Sequence, residues 1–367
     1  MNDHHKRRQD VFQIIKFQFI LSGIIPLIFL SGCTVKTEKE EIPEPPDYLE
    51  IPGVYLGTFH GTSSSSLALF EKIGKGVAIS AVYQNFGDAF NNGFLNANAH
   101  VGRISFLTWE FMPGSSPKVA GYEGRVLEAI IDGIFDDYII SWAEGMREFG
   151  KPVYLRFGHE MNGDWYPWSG VKNGGGTLDG YGSPYLPDGP ERFVDAYRHI
   201  HDVFTENGAD NVLWVWCLNA PYEDMAQALG EWNTPTEYYP GDEYVDWMGI
   251  DGYNWGSSAF GQQFDAEWQS FDKIFANTYS ELQKINSDKP IIIGEFSSTE
   301  DGGDKAAWIE DAFHQIRYAY PQIRGLIWFH ITKETDWRIN SSDEALAAYQ
   351  QAVADDYWLP EYPGMVP

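Results

Sequence analysis

The chain has 367 residues, 43% of them hydrophobic and 21% charged, the proportions of a globular protein with room for one large domain or two ordinary ones. Its 53 acidic against 25 basic side chains leave a formal charge of −28, which repels phosphate backbones and so excludes nucleic acid as a partner, while suiting a neutral substrate. Aromatic residues make up 16% of the chain, 14 of them Trp, more than structure alone ordinarily calls for.

Residues 1–32 read as a targeting segment outside the fold. Lys6, Arg7, Arg8 and Lys16 form a basic region, and an apolar stretch from Phe17 to Leu30 follows, interrupted by Gln18, Ser22 and Pro26. It is too short and too broken for a membrane span. Leu30-Ser31-Gly32-Cys33 resembles a bacterial lipobox, which implies a lipoprotein signal peptide and lipidation at Cys33. Residues 33–52 then form a Pro- and Glu-rich tether, and 53–367 the domain. With Cys33 lipidated, Cys217 has no disulfide partner in the chain and reads as a buried small hydrophobe.

From residue 53 onward, eight nearly continuous apolar runs alternate with helical patterns. The runs are 54–59, 76–86, 101–110, 152–160, 211–219, 245–253, 290–296 and 323–331, and each has the character of a strand covered on both faces. Amphipathic stretches follow most of them, among them one long pattern from Gly124 to Lys151 and another ending at Gly208. The connections after runs two and five carry only short helix candidates. Eight β-then-α units predict an α/β fold, a single (β/α)₈ TIM barrel. A doubly wound sheet would call for a Gly-rich first turn, which GTFHGTSSSS is not.

Barrel chemistry sits at the C-terminal ends of the strands. Those ends carry His60, Trp109, Glu110, His159, Glu160, Asn219, Asp251, Tyr253, Glu295, Trp328 and His330, a rim of carboxylates and aromatics. Glu160 and Glu295 end runs four and seven, on opposite sides of an eight-stranded ring, and can converge on its axis. Such a pair suits glycoside hydrolysis, one group protonating the leaving oxygen and the other attacking the anomeric carbon or activating water. Arg156 is the residue that would tie Glu160 down as an inert ion pair. HEMNG is no zinc site, because H-E-x-x-H needs a second His where Gly163 stands. Trp165, Tyr166 and Trp168 offer flat faces for sugar rings. NGGGT at 173–177 lacks a Lys and is no phosphate cradle.

RFGHEMNGDWYPW, YVDWMGIDGYNWG, IIIGEFSS and the IWF of run eight resemble glycoside hydrolase family 26, over roughly residues 53 to 357. The resemblance implies a retaining, endo-acting β-glycanase with Glu160 as general acid/base and Glu295 as nucleophile. It implies substrate contacts from His159 and Asn162, sugar platforms at Trp165 and Trp328, and a Tyr253 hydroxyl bonded to Glu295. Mannanases of the family carry Ser-Trp-His at the end of strand three, where this chain has Thr108-Trp109-Glu110. Trp109 and Glu110 are therefore candidate substrate contacts, and Glu110 points toward members that cleave mixed-linkage β-glucan. The expected activity is endo-β-1,4-mannanase on mannan or glucomannan. The alternatives are endo-β-1,3-1,4-glucanase and, from another class, a non-catalytic cell-surface glycan-binding protein. No cofactor and no metal are expected. The expected partners are a β-linked polysaccharide and, through Cys33, a bacterial membrane, with the chain monomeric, extracytoplasmic and lipid-anchored at the outer membrane or cell surface.

Overall fold

The structure is a computed structural model that describes residues 50–61, 66–111 and 119–365. The segment read as a signal peptide, Cys33 and all but the last residues of the expected tether lie outside the described residues. Eight parallel strands close on themselves: β1 (Val54–Phe59), β2 (Ile79–Asn85), β3 (Ile104–Glu110), β4 (Val153–Phe157), β5 (Val212–Asn219), β6 (Trp247–Asn254), β7 (Ile291–Ser298) and β8 (Ile323–Phe329). β8 pairs with β1, and β1 pairs back to β2, so no edge among the eight is left open. The barrel and its strand order were legible in the sequence. A two-residue strand that was not, β9 (Trp358–Leu359), adds to the start of β1.

Nine helices among the described residues surround the barrel: α1 (Ser66–Ile73), α2 (Gly93–His100), α3 (Val126–Ile131), α4 (Asp136–Phe149), α5 (Asp188–Glu206), α6 (Tyr222–Leu229), α7 (Phe271–Ile285), α8 (Lys305–Tyr318) and α9 (Asp343–Ala352). The single long helical pattern read between Gly124 and Lys151 is two helices, broken at Gly133, whose φ of 72° leaves the helical region. Side chains of Ser270, Asp304 and Ser342 cap α7, α8 and α9 by accepting from the amides of Lys273, Ala307 and Ala345.

Strand alternation divides the apolar residues into two cores. Inside the barrel lie Tyr55, Ile79, Phe106, Tyr154, Val215, Cys217, Trp247, Ile292 and Ile327, with Ile51, Tyr362 and Met365 closing the floor at the strands' N-terminal ends. Between strands and helices lies a larger core that includes Trp109, Trp142, Leu155, Phe157, Phe296 and Trp328. One irregularity positions the site. The β7–β8 register shifts between Ile293 and Phe296, so that Glu295 reaches the barrel interior while the next residue, Phe296, packs outward against Trp308 and Trp328. Gly294 allows this: a Cβ there would lie 2.7 Å from Asp251 Oδ1 and 2.8 Å from Arg156 Nη1.

Candidate active site

β4 ends at Phe157, three residues earlier than its apolar run suggests. Gly158 (φ 59°) and Glu160 (φ 54°) then turn the chain across the mouth. A left-handed backbone is uncommon for Glu, and such conformations persist where surrounding contacts enforce them. Those contacts are present. The Glu160 amide donates to Cys217 O at 2.9 Å. The Asn162 side chain clasps the end of β5, accepting from Asn219 N and donating to Asn219 O, each at 2.9 Å. Asn162 is wholly buried, and with its side-chain amide engaged at both atoms in that clasp it shapes the loop.

Glu295 lies at the centre of the mouth. Its Oε1 accepts from Arg156 Nη2 at 2.6 Å and from the Tyr83 hydroxyl, and its Oε2 accepts from the Tyr253 hydroxyl at 2.5 Å. Three donors on two oxygens suit a carboxylate anion. Arg156 does not pair with Glu160. It bridges Glu295 and Asp251, the latter at 2.5 Å, and donates twice to Thr108 Oγ1. His159, Asp251 and Glu295 bring ligand atoms within 4.8 Å of one another, a spacing open to a metal ion, yet the Arg156 guanidinium already bridges the two carboxylates.

Glu160 has the opposite environment. It is buried, and its Oε2 accepts from Trp165 Nε1 at 2.8 Å. Burial and then the Glu295 charge push its carboxyl well above the usual range, which favours the protonated form. His159, wholly buried, is held well below its ordinary value by burial and by Arg156. Its imidazole is therefore neutral, and the 3.8 Å approach of Nε2 to Glu295 is not an ion pair. Nε2 lies 3.0 Å from the Tyr166 hydroxyl, while Nδ1 has no partner among the described residues.

The aromatic loop after β4 divides its labour. Trp168 is buried, donates to His159 O at 2.7 Å and stacks on Tyr166 at 4.2 Å between centroids. Trp165 is 42% exposed and presents a face to the mouth, lying so close to Gly163 that a Cβ there would meet its ring at 2.5 Å.

Trp109 and Trp328, expected to contact substrate, do not reach the mouth. Both side chains are wholly buried and point outward from their strands. Trp109 stacks on Trp142 of α4 at 4.7 Å, and Trp328 packs on Phe296 and Tyr349 and donates to Trp337 O. Alternation explains this, because Thr108 and Glu110 face inward and so Trp109 cannot. At the end of β8 the inward residue is Phe329, whose ring meets those of Phe59, Tyr83 and Tyr253. Tyr83 and Phe329 were missed. Period-two counting from Gly325 finds Phe329, while nothing in the sequence singles out Tyr83.

Glu110 faces inward and is buried, and burial followed by the Glu295 charge pushes its carboxyl from 4.5 up to about 7. Such a shift makes the folded state hold a proton that the unfolded chain has released, so stability falls as pH rises from about 4.5 to about 7. Glu110→Gln removes that cost. The variant is expected to be more stable than the parent above neutrality, by at most on the order of 3 kcal/mol, and indistinguishable near pH ~4. Thermal unfolding at the two pH values checks it; an equal difference at both would refute the buried charge.

A family model described as glycosyl hydrolase family 26 matches residues 95–297. Endoglucanase H of Acetivibrio thermocellus is 40% identical over 307 residues, 82% of this chain and 30% of its own length. A mannan endo-1,4-β-mannosidase of Bacillus subtilis is 31% identical over 206 residues, 54% of this chain and 44% of that protein. The chain thus spans less than half the length of either relative. Among solved structures, a Bacillus subtilis mannanase aligns with a TM-score of 0.58 over 86% of this chain and 90% of that one, at 20% identity, a likeness of fold. A modular endo-β-1,4-mannanase from Cellulomonas fimi aligns with a TM-score of 0.59 at 16% identity, over 85% of this chain and 73% of that one.

Proposed function

The chain belongs to glycosyl hydrolase family 26, and on that premise we propose that it is a retaining, endo-acting β-glycan hydrolase with Glu160 as acid/base and Glu295 as nucleophile. The observation that carries the reading is the contrast between the two carboxyls. One is buried where the proton is favoured, and the other receives three hydrogen-bond donors. In the first step Glu295 attacks the anomeric carbon while Glu160 gives its proton to the leaving oxygen. In the second, water displaces Glu295 and returns a proton to Glu160. Trp165, through its hydrogen bond to Glu160 and its exposed face, both orients the acid and offers a sugar platform. In this proposal neutral His159 contacts a sugar hydroxyl, a role supported by its position beside Glu295 and Tyr166.

Mannan or glucomannan is the proposed substrate, supported by the mannanases among the relatives. Mixed-linkage β-glucan is a second reading. It is favoured by the inward carboxyl of Glu110, where the mannanase pattern has His, and by Endoglucanase H, whose match runs over more of the chain than the mannosidase's. Reducing-sugar release from galactomannan, glucomannan and mixed-linkage β-glucan, with Glu160→Ala as blank, separates them. Galactomannan cleavage establishes a mannanase, and cleavage of β-glucan alone makes Glu110 the specificity determinant. No cleavage of any would overturn the hydrolase reading in favour of a glycan-binding protein. In this proposal the segment ending in Cys33 anchors the chain by lipid outside the cytoplasm, supported by the lipobox resemblance. Among the described residues no helix is long and apolar enough to cross a membrane.

A further inference from the structure

Cys217 is the one described cysteine, and the chemistry above makes no use of it. It lies wholly buried inside the barrel on β5, where a small hydrophobe would fill the space. Its surroundings are polar instead. The thiol donates to Asp251 Oδ1 at 3.1 Å, and Arg156 Nη1 lies 3.7 Å from Sγ. Two glycines open the space around it. A Cβ at Gly249 would sit 2.7 Å from Sγ, and one at Gly294 would sit 3.4 Å from it.

The resulting relay runs from the thiol to Asp251 Oδ1, from Asp251 Oδ2 to Arg156 Nη1, and from Arg156 Nη2 to Glu295 Oε1. One guanidinium serves two buried carboxylates. How it divides between them depends on what else each carboxylate receives. Glu295 has Tyr83 and Tyr253, whereas Oδ1 of Asp251 has the thiol. We propose that Cys217 is a positioning residue, its thiol proton satisfying Asp251 so that Arg156 remains shared with the nucleophile. This rests on the roles proposed for Glu160 and Glu295. Burial keeps the thiol protonated, as the relay requires, and burial also pushes Asp251 up, against the pull of Arg156, the thiol and the Glu295 amide.

Without the thiol, the buried Asp251 carboxylate has one donor fewer and keeps Arg156 and the Glu295 amide. Asp251 then competes harder for Arg156, and Glu295 loses part of its cationic partner. The charged and titratable groups facing Glu295 are Tyr83 from β2, Glu110 from β3, Arg156 from β4, His159, Glu160 and Tyr166 from the following loop, and Asp251 and Tyr253 from β6. None of them changes in a Cys217 variant, so a moved limb reports the relay.

The test is the pH profile of kcat/KM for Cys217→Ala and Cys217→Ser on the best glycan. The Ala variant is expected to show an acid limb displaced upward by about one pH unit and activity about 10-fold lower on the acid side. Ser, which still donates, is expected to recover the wild-type limb. Thermal stability falls for any cavity here and decides nothing. A wild-type limb in the Ala variant, or a Ser limb displaced as far as that of Ala, would overturn the proposal. Infrared difference spectra, wild type minus Cys217→Ala, test the first bond without activity. The S–H stretch is expected below that of the thiol in the unfolded chain, and an unshifted band refutes the relay. Should the wild type hydrolyse no glycan, the reading of Glu160 and Glu295 fails and this band alone decides whether the thiol serves Asp251.

Discussion

Replacing Glu295 with Gln is expected to leave a folded protein whose turnover is lower by about 10⁴-fold or more. The amide is isosteric and can still accept from Tyr83 or Tyr253, so the pocket keeps its shape. It cannot form the glycosyl-enzyme, and it turns a neutral group toward Arg156, which keeps Asp251 as its anion. The loss should therefore be the same on a polysaccharide and on an aryl glycoside with a good leaving group, because both need the same bond to Glu295. Circular dichroism establishes folding, and single-turnover kinetics on both substrates give the comparison. Retention of more than about a hundredth of wild-type activity would refute the nucleophile assignment.

Glu160→Ala should divide the two substrates. Polysaccharide cleavage, which needs the leaving oxygen protonated, is expected to fall by about 10²–10⁴-fold. An aryl glycoside needs little help in the first step and accumulates the covalent intermediate, because no base remains to activate water. A burst of phenol followed by slow turnover is the signature. Azide, which needs no base, should restore turnover and yield the β-glycosyl azide. An equal loss on both substrates without azide rescue would remove Glu160 from the acid/base role. In the wild type, the acid must be protonated to act, so activity is lost as pH rises through the raised value of Glu160, and the alkaline limb should lie well above the ordinary carboxylate range.

What was legible in the sequence follows from what each residue must satisfy. The eight strands stand out because strands buried on both faces are apolar throughout. That same continuity hides which way each residue points, and so Trp109 and Trp328 were read as rim residues when both pack under helices. The inward Thr108 and Glu110 give the parity of β3, and applying it would have excluded Trp109. Arg156 within the apolar run VYLRF was a signal of a different kind: a charge in a buried strand demands an anion, and two are found. The register shift at Gly294 left no trace beyond the glycine, since a one-residue irregularity depends on the neighbouring strand. Glu160 and Glu295 were singled out from their place at strand ends, and the roles implied for them called for a protonated Glu160 and a donor-held Glu295. The donors themselves, Tyr83 and Arg156 among them, are set by three dimensions.

The closed floor of the barrel sets the direction in which the domain works. Ile51, Tyr362 and Met365 are gathered beneath the strands, at the end away from Glu160 and Glu295, so the first and last described segments share one side of the barrel. Coupled to a support directly by its floor, beside Ile51, the domain would turn the mouth that holds Glu160 and Glu295 away from that support. A surface-bound form should therefore digest insoluble polymer laid against it nearly as fast as the free form, with no need to turn over. Coupling through an introduced cysteine beside the mouth, in place of the floor, would blind it.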